Sequence, residues 1–285
     1  MQNTPSGIAG IRLAGARKVY GSGASAMTAL DDVDLRIEPG RFVSVIGPSG
    51  CGKSTLLRLI AGLEEADAGE VSVFGVSPGE ACGAKMVGLV PQQPALLPWL
   101  DVLQNVTLPR RINRSASRRR AAISRTVRGH ADLPPAPDMR HLLAEVGLGD
   151  ALHKLPSQLS GGMQQRAAIV RAFGLQPDVL LMDEPFSALD EFTRESLQEQ
   201  LLDLWDEMKT TVVFVTHSVT EAVRLSDTVV VMAPQPGRIV DVLDIDLPRP
   251  RSGTQIKTPE FHRHEDLIRD RLQSAWRMPD TGRAA

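Results

Sequence analysis

The chain has 285 residues, of which 42% are hydrophobic, a net charge of -2 and a pI near 6.3. That length allows one large domain or two small ones with a substantial core, and the near-neutral balance gives no overall electrostatic case for a nucleic-acid partner. Two cysteines, Cys51 and Cys82, make no disulfide framework and no paired metal motif, apolar runs such as 212–215 and 229–233 fall far short of a membrane helix, and the opening MQNTPSGIAG has no charged stretch before an apolar one, so the chain reads as cytoplasmic.

From the N-terminus, residues 11–46 alternate short apolar runs with turn residues, as in Val33, Leu35 and Ile37 before Pro39 and Gly40, which predicts strands of a mostly antiparallel edge. A strand over 41–46 (RFVSVI) runs into GPSGCGKST at 47–55, and Leu56, Leu57, Leu59 and Ile60 continue as a helix to a stop at Gly62. A glycine-rich turn between an apolar strand and an apolar helix is a phosphate cradle. Its glycines let consecutive N–H groups point inward, the helix N-terminus adds partial positive charge, Lys53 can reach outer phosphates, and Ser54 can ligate Mg²⁺. The bare pattern arises by chance in about 1 in 100 chains of this length, and the strand and helix flanks set it apart from an ordinary surface turn. Cys51, inside the loop beside Lys53, is expected to favour its thiolate; the plainer alternative is a small residue that fits.

Further along, 71–74 and 87–90 read as short strands, three prolines interrupt 91–98, and 100–155 becomes helical, with Leu142, Leu143 and Val146 ahead of a stop at Gly147. No acidic residue occurs from Val102 to Ala131, while Arg110, Arg111, Arg114, Arg118, Arg119, Arg120, Arg125 and Arg128 form a positive run closed by LPPAP at 133–137. Self-repulsion predicts a solvated helix face and loop, and contact with anionic lipid headgroups is the competing reading. After Leu159, 179–182 and 212–215 read as buried parallel strands, and Leu197, Leu201, Leu204, Trp205 and Met208 between them form a helical core stripe. The tail from Pro259 predicts one amphipathic helix with Phe261, Ile268 and Leu272 on a shared face.

The discriminating residues lie between Leu159 and His217. LSGGMQQR (159–166) precedes a small-residue helix, LLMDEP (180–185) ends a buried strand in two carboxylates, SALD (187–190) follows, and a strand ends at His217. Asp183 at that strand end can hold a metal shell, Glu184 is placed to polarise an attacking water, and Ser160 can cap the helix from Met163 onward, leaving a dipole end free for a phosphate.

The phosphate loop and these elements, in this order, resemble the ATP-binding-cassette ATPases over about 11–245. The resemblance implies an α/β fold: a P-loop NTPase (RecA-like) core with an antiparallel β subdomain and an inserted α-helical subdomain at about 96–160, the latter carrying the arginine-rich insertion at about 110–140. An extension with one helix would occupy 246–285. It also implies ATP and Mg²⁺ as ligands. Gly47, Pro48, Ser49, Gly50, Cys51, Gly52, Lys53, Ser54 and Thr55 would cradle phosphates, Tyr20 would stack on adenine, and Ser54, Gln92 and Asp183 would serve the metal. Lys53, Gln92, Glu184 and His217 would be catalytic, with Gln92 sensing the γ-phosphate and His217 holding Glu184 in place. Ser160, Gly161, Gly162 and Asp190 would meet nucleotide in a head-to-tail pair with a second copy. Met163 stands where the family usually has Gln, and Pro91 where Phe is usual.

PALLPWLDVLQNV (94–106), PFSALDEFTR (185–194), LPRPR and the later PEF are similar to the importer subunits that serve nitrate, taurine and alkanesulfonates. That likeness implies a homodimer at the cytoplasmic face of the inner membrane, two membrane permease subunits, an extracytoplasmic solute-binding protein and a small anionic solute. A soluble cassette ATPase of translation or DNA maintenance is the alternative. Such proteins usually carry two linked cassettes or a long coiled coil, whereas this chain has one motif set and no sustained heptads. A regulator without turnover is disfavoured by Glu184.

Overall fold

A computed structural model of the chain describes residues 7–112, 115–128 and 137–277. The elements run β1 (Ile11–Tyr20), β2 (Met27–Ile37), β3 (Phe42–Ile46), α1 (Lys53–Ile60), β4 (Ala68–Val73), α2 (Pro78–Gly83), β5 (Val87–Val90), α3 (Val102–Arg111), α4 (Ala116–Arg128) and α5 (Met139–Glu145). They continue with α6 (Gly161–Phe173), β6 (Val179–Asp183), α7 (Glu191–Met208), β7 (Thr211–Thr216), α8 (Val219–Leu225), β8 (Thr228–Ala233), β9 (Arg238–Asp244) and α9 (Pro259–Arg277).

The strands form two sheets, an antiparallel one of order β2-β1-β4 and a six-stranded one of order β5-β6-β7-β3-β8-β9 that is parallel except for β9. The antiparallel expectation for 11–46 holds for β1 and β2 and fails for β3, which lies mid-sheet with Val45 beside both Val215 and Val230. The sequence contains the reason. In β2 buried and exposed positions alternate from Val33 onward, the mark of one covered face, whereas every residue of β3 is buried, as a strand covered on both faces requires. Parallel β3, β6 and β7 therefore end at one edge, delivering residues 47, 183, 184 and 217 to the same rim.

Three apolar layers hold this arrangement. Leu56, Leu57, Leu59 and Ile60 of α1 are buried with residues of the antiparallel sheet and of β3, β6 and β7, each worth about 1.5–3 kcal/mol. On the opposite face α6 and α7 pack Phe173, Leu197, Leu201, Leu204 and Trp205 with Phe42 and Phe214, so the predicted stripe is core. In α9, Phe261 and Ile268 are buried and Leu272 partly so, against α8 and β8, as the tail pattern predicts.

The arginine-rich run is not uniformly solvated. α4 turns Ala116, Arg120 and Ser124 inward at four-residue spacing, leaving Arg118, Arg119 and Arg125 exposed. Arg120 is only 8% exposed; its Nη2 lies 3.0 Å from Asp178 Oδ2, and the guanidinium donates to the carbonyls of Leu175 and Gln176. The neutralising carboxylate comes from just before β6, outside the acid-free stretch, which a local reading of charge cannot see. Arg114 and residues 133–136 of the expected linker lie outside the described residues.

Candidate functional site

The loop 47–55 joins β3 to α1. Gly50 and Gly52 sit at φ +78° and +90°, the left-handed region where only glycine is comfortable. No side chain caps the N-terminus of α1, whose dipole therefore faces the loop. Lys53 is 7% exposed, and its ammonium is held by neutral groups, the carbonyls of Gly47 at 2.8 Å and Pro48 at 3.0 Å. Cys51 departs from expectation: it is fully buried, and that burial pushes its thiol up, outweighing the nearby Lys53 charge and the hydrogen bonds that pull it down. Its side chain fills space inside the loop, and burial works against the expected thiolate.

Asp183 ends β6 at the rim. Burial raises the Asp183 carboxyl, and the adjacent Glu184 charge adds to the rise while Ser54, Lys53 and Arg58 oppose it. Glu184 follows at φ 46°, an unusual backbone for this residue type. Its N–H donates to the Val215 carbonyl, tying it to β7, and its own carbonyl accepts from Ser187 N–H and Oγ–H. The carboxylate so aimed meets His217, with Nδ1 3.3 Å from Oε2. Gln92, after β5, reaches the same cluster by donating to Ser187 Oγ at 3.4 Å. Loop 47–55, Gln92, Asp183, Glu184 and His217 are thus gathered at one rim.

The remaining candidates make their contacts as follows. Ser160 caps α6, accepting from Met163 N–H at 3.3 Å, and the helix begins at Gly161. Gly162 lies against α7, where an added Cβ would stand 2.8 Å from Thr193 Cγ2. Among the described residues no hydrogen bond joins 160–162 to 47–55. The Met163 side chain is partly buried against the helical core. Asp190 caps α7 through Thr193, whose N–H and hydroxyl hold its carboxyl low. Tyr20 is half-buried beside α1, its hydroxyl bonded to Glu64 and 3.4 Å from Thr55 Oγ1.

Several residues that shape the site carry no local signal. A Cβ on Gly237, in the β8–β9 turn, would lie 2.3 Å from the Cys51 carbonyl and 2.6 Å from that of Ala29, so this turn is the floor beneath the phosphate loop. Arg171 of α6 donates to the carbonyls of Pro94 and Ala95, linking the helix that starts at Gly161 to the segment after Gln92. Behind His217, Glu221 is buried with Thr216, Gln198 and Arg194 around it, and burial raises its carboxyl against the pull of those partners. Ser187 opens the SALD motif and Arg194 closes PFSALDEFTR, neither with a role of its own in the sequence; Gly237 reads as an ordinary turn glycine until the two loops are seen together.

The chain matches the ABC transporter family over residues 30–187. It is 45% identical over 244 residues to the aliphatic sulfonates import ATP-binding protein SsuB 1 of Xanthomonas axonopodis pv. citri (strain 306), spanning 84% of this chain and 88% of that protein. Identity is 43% over 236 residues to the aliphatic sulfonates import ATP-binding protein SsuB 2 of Burkholderia cenocepacia (strain HI2424), spanning 83% and 78%. Among solved structures, the dimeric post-hydrolysis state of the ATP-binding cassette MJ0796 bound to ADP and Pi aligns with TM-score 0.67 and 31% identity, covering 84% of this chain and 100% of that one.

Proposed function

The chain belongs to the ABC transporter family, and from that premise we propose that it is the ATP-hydrolysing subunit of an importer for a small sulfonate-like anion, working as a pair of copies closed over two nucleotides. The observation that carries the reading is the buried Lys53 ammonium, held by the neutral carbonyls of Gly47 and Pro48 and the Cys51 sulfur at a helix N-terminus behind two left-handed glycines. Such a pocket is completed by an anion of several charges.

The residues also fit a Mg²⁺ ion. Ser54 hydroxyl and Asp183 carboxylate are hard oxygen donors, and the burial that raises Asp183 is relieved by a cation. Ser54 and Asp183, with Gln92 at the γ-phosphate side, would hold it. When bound, the ion neutralises charge on the phosphate oxygens. The chain supplies the rest. Lys53 and the amides of 50–55 bind the phosphates, Glu184 polarises the attacking water, and His217 holds Glu184 in line while facing the γ-phosphate. Tyr20 stacks on adenine.

Ser160, Gly161, Gly162 and Asp190 act on the nucleotide of the other copy, in keeping with the dimeric MJ0796 cassette. Phe192, two residues after Asp190 and 85% exposed, suits a surface covered by that copy. Among the described residues no helix is long and apolar enough to cross a membrane, so passage of solute falls to separate permease subunits, with delivery by an extracytoplasmic binding protein and this chain at the cytoplasmic face. A groove of about 330 Å³ lined by Leu100, Gln104, Leu108, Arg111 and Ile112, next in sequence to the 70% exposed Trp99, suits a permease element.

The test is ATP-dependent uptake of a labelled alkanesulfonate into vesicles carrying the permease pair, the binding protein and this chain. Uptake and phosphate release should both vanish with Lys53→Ala and with chelation of Mg²⁺. Phosphate release without any uptake would contradict the importer reading, and uptake that survives Lys53→Ala would contradict the role of the ATPase.

A further inference from the structure

We propose that Glu221 is a positioning residue that binds together the two loops presenting the Glu184–His217 pair, an inference that rests on the catalytic reading above. Glu221 lies in the first turn of α8, and three side chains from two other elements converge on its carboxylate. From the end of β7, the Thr216 hydroxyl donates to Oε2 at 2.5 Å; from α7, Gln198 Nε2 donates to Oε1 at 3.2 Å and Arg194 Nε stands 3.8 Å from the same oxygen.

Both sides of this arrangement lead to the site. Thr216 Oγ1 also accepts the Ser218 N–H at 3.0 Å, closing a turn with His217 at its apex, and Ser218 Oγ in turn accepts the Glu221 N–H. His217 is therefore aimed by a loop anchored at two points to Glu221. On the other side, Arg194 Nη2 donates to the Leu189 carbonyl at 2.7 Å, inside the turn 187–190 whose Ser187 holds the Glu184 carbonyl. One buried carboxylate thus spans from the loop that carries the base to the loop that carries the histidine, and their side chains meet at 3.3 Å. Neither Glu221 nor Arg194 touches His217 Nδ1 or Glu184 Oε2, so the effect on chemistry passes through the geometry of the loops.

The experiment uses the full chain and compares Glu221→Gln, Thr216→Val and Thr216→Ser, with Glu184→Gln and His217→Ala as references. Steady-state MgATP hydrolysis is measured beside histidine-ring NMR, in which the His217 signal is assigned by its loss in His217→Ala. Glu221→Gln and Thr216→Val should lower kcat by about tenfold or more with little change in KM, and shift the His217 signal while leaving that of His153 in place. Thr216→Ser, which keeps the hydroxyl, should restore both readouts. If Glu221→Gln fails to fold, the Thr216 pair decides alone. A His217 signal unmoved in both Glu221→Gln and Thr216→Val, or equal kcat in Thr216→Val and Thr216→Ser, overturns the positioning role. Wild-type hydrolysis in Glu184→Gln or His217→Ala is a different failure: it overturns the catalytic reading itself, and the positioning role with it.

Discussion

Glu184→Gln is expected to lower kcat for ATP hydrolysis by about 10²–10⁴-fold while ATP binding is retained. The substitution is nearly isosteric at a residue whose backbone is held on both sides, by its N–H on Val215 and its carbonyl on Ser187. What changes is the charge and basicity of one carboxylate facing His217. Lys53, Ser54 and the glycines that bind phosphate are untouched, so the loss should fall on kcat rather than on KM. Single-turnover hydrolysis beside equilibrium binding of a fluorescent ATP analogue separates the two. A variant that binds and hydrolyses like wild type removes Glu184 from the reaction.

Arg120→Ala is expected to destabilise the fold by about 3–5 kcal/mol, because it removes a buried cation from beside the buried Asp178 carboxylate and its donors from the carbonyls of Leu175 and Gln176. These three groups lie on the segment that leads into β6, the strand carrying Asp183, so the damage should spread towards the site. Arg118→Ala and Arg119→Ala, on the exposed face of the same helix, should each stay within about 0.5 kcal/mol of wild type. Urea denaturation of the three variants checks this. Equal midpoints would mean that α4 behaves as the solvated charge run that composition alone predicts.

Much of the site was legible because its chemistry is local. The loop 47–55 needs glycines and a lysine at fixed spacing, and the strand before it and the helix after it are visible as unbroken apolar runs. Asp183 and His217 follow strand-like runs, so a parallel arrangement was enough to bring them to one rim. What stayed hidden depends on partners distant in sequence. β3 reads as part of the antiparallel edge because its neighbours in sequence belong there, whereas its neighbours in space are β7 and β8. Cys51 looked activated beside Lys53 because burial, the larger effect, is a property of the packed loop. Arg120 is separated from Asp178 by a run of other elements, and Gly237 from Cys51 by most of the chain. Glu221 in THSVTEA carries no sign of its three partners until α7 and β7 are set side by side.

The central claim is that two copies of this chain complete each other's nucleotide sites, and sedimentation velocity of the Glu184→Gln protein tests it most directly. With saturating MgATP that variant should sediment as a dimer, and without nucleotide, or with Lys53→Ala added, as a monomer. A strictly monomeric Glu184→Gln protein under saturating MgATP, alone and with the permease subunits present, would contradict the account.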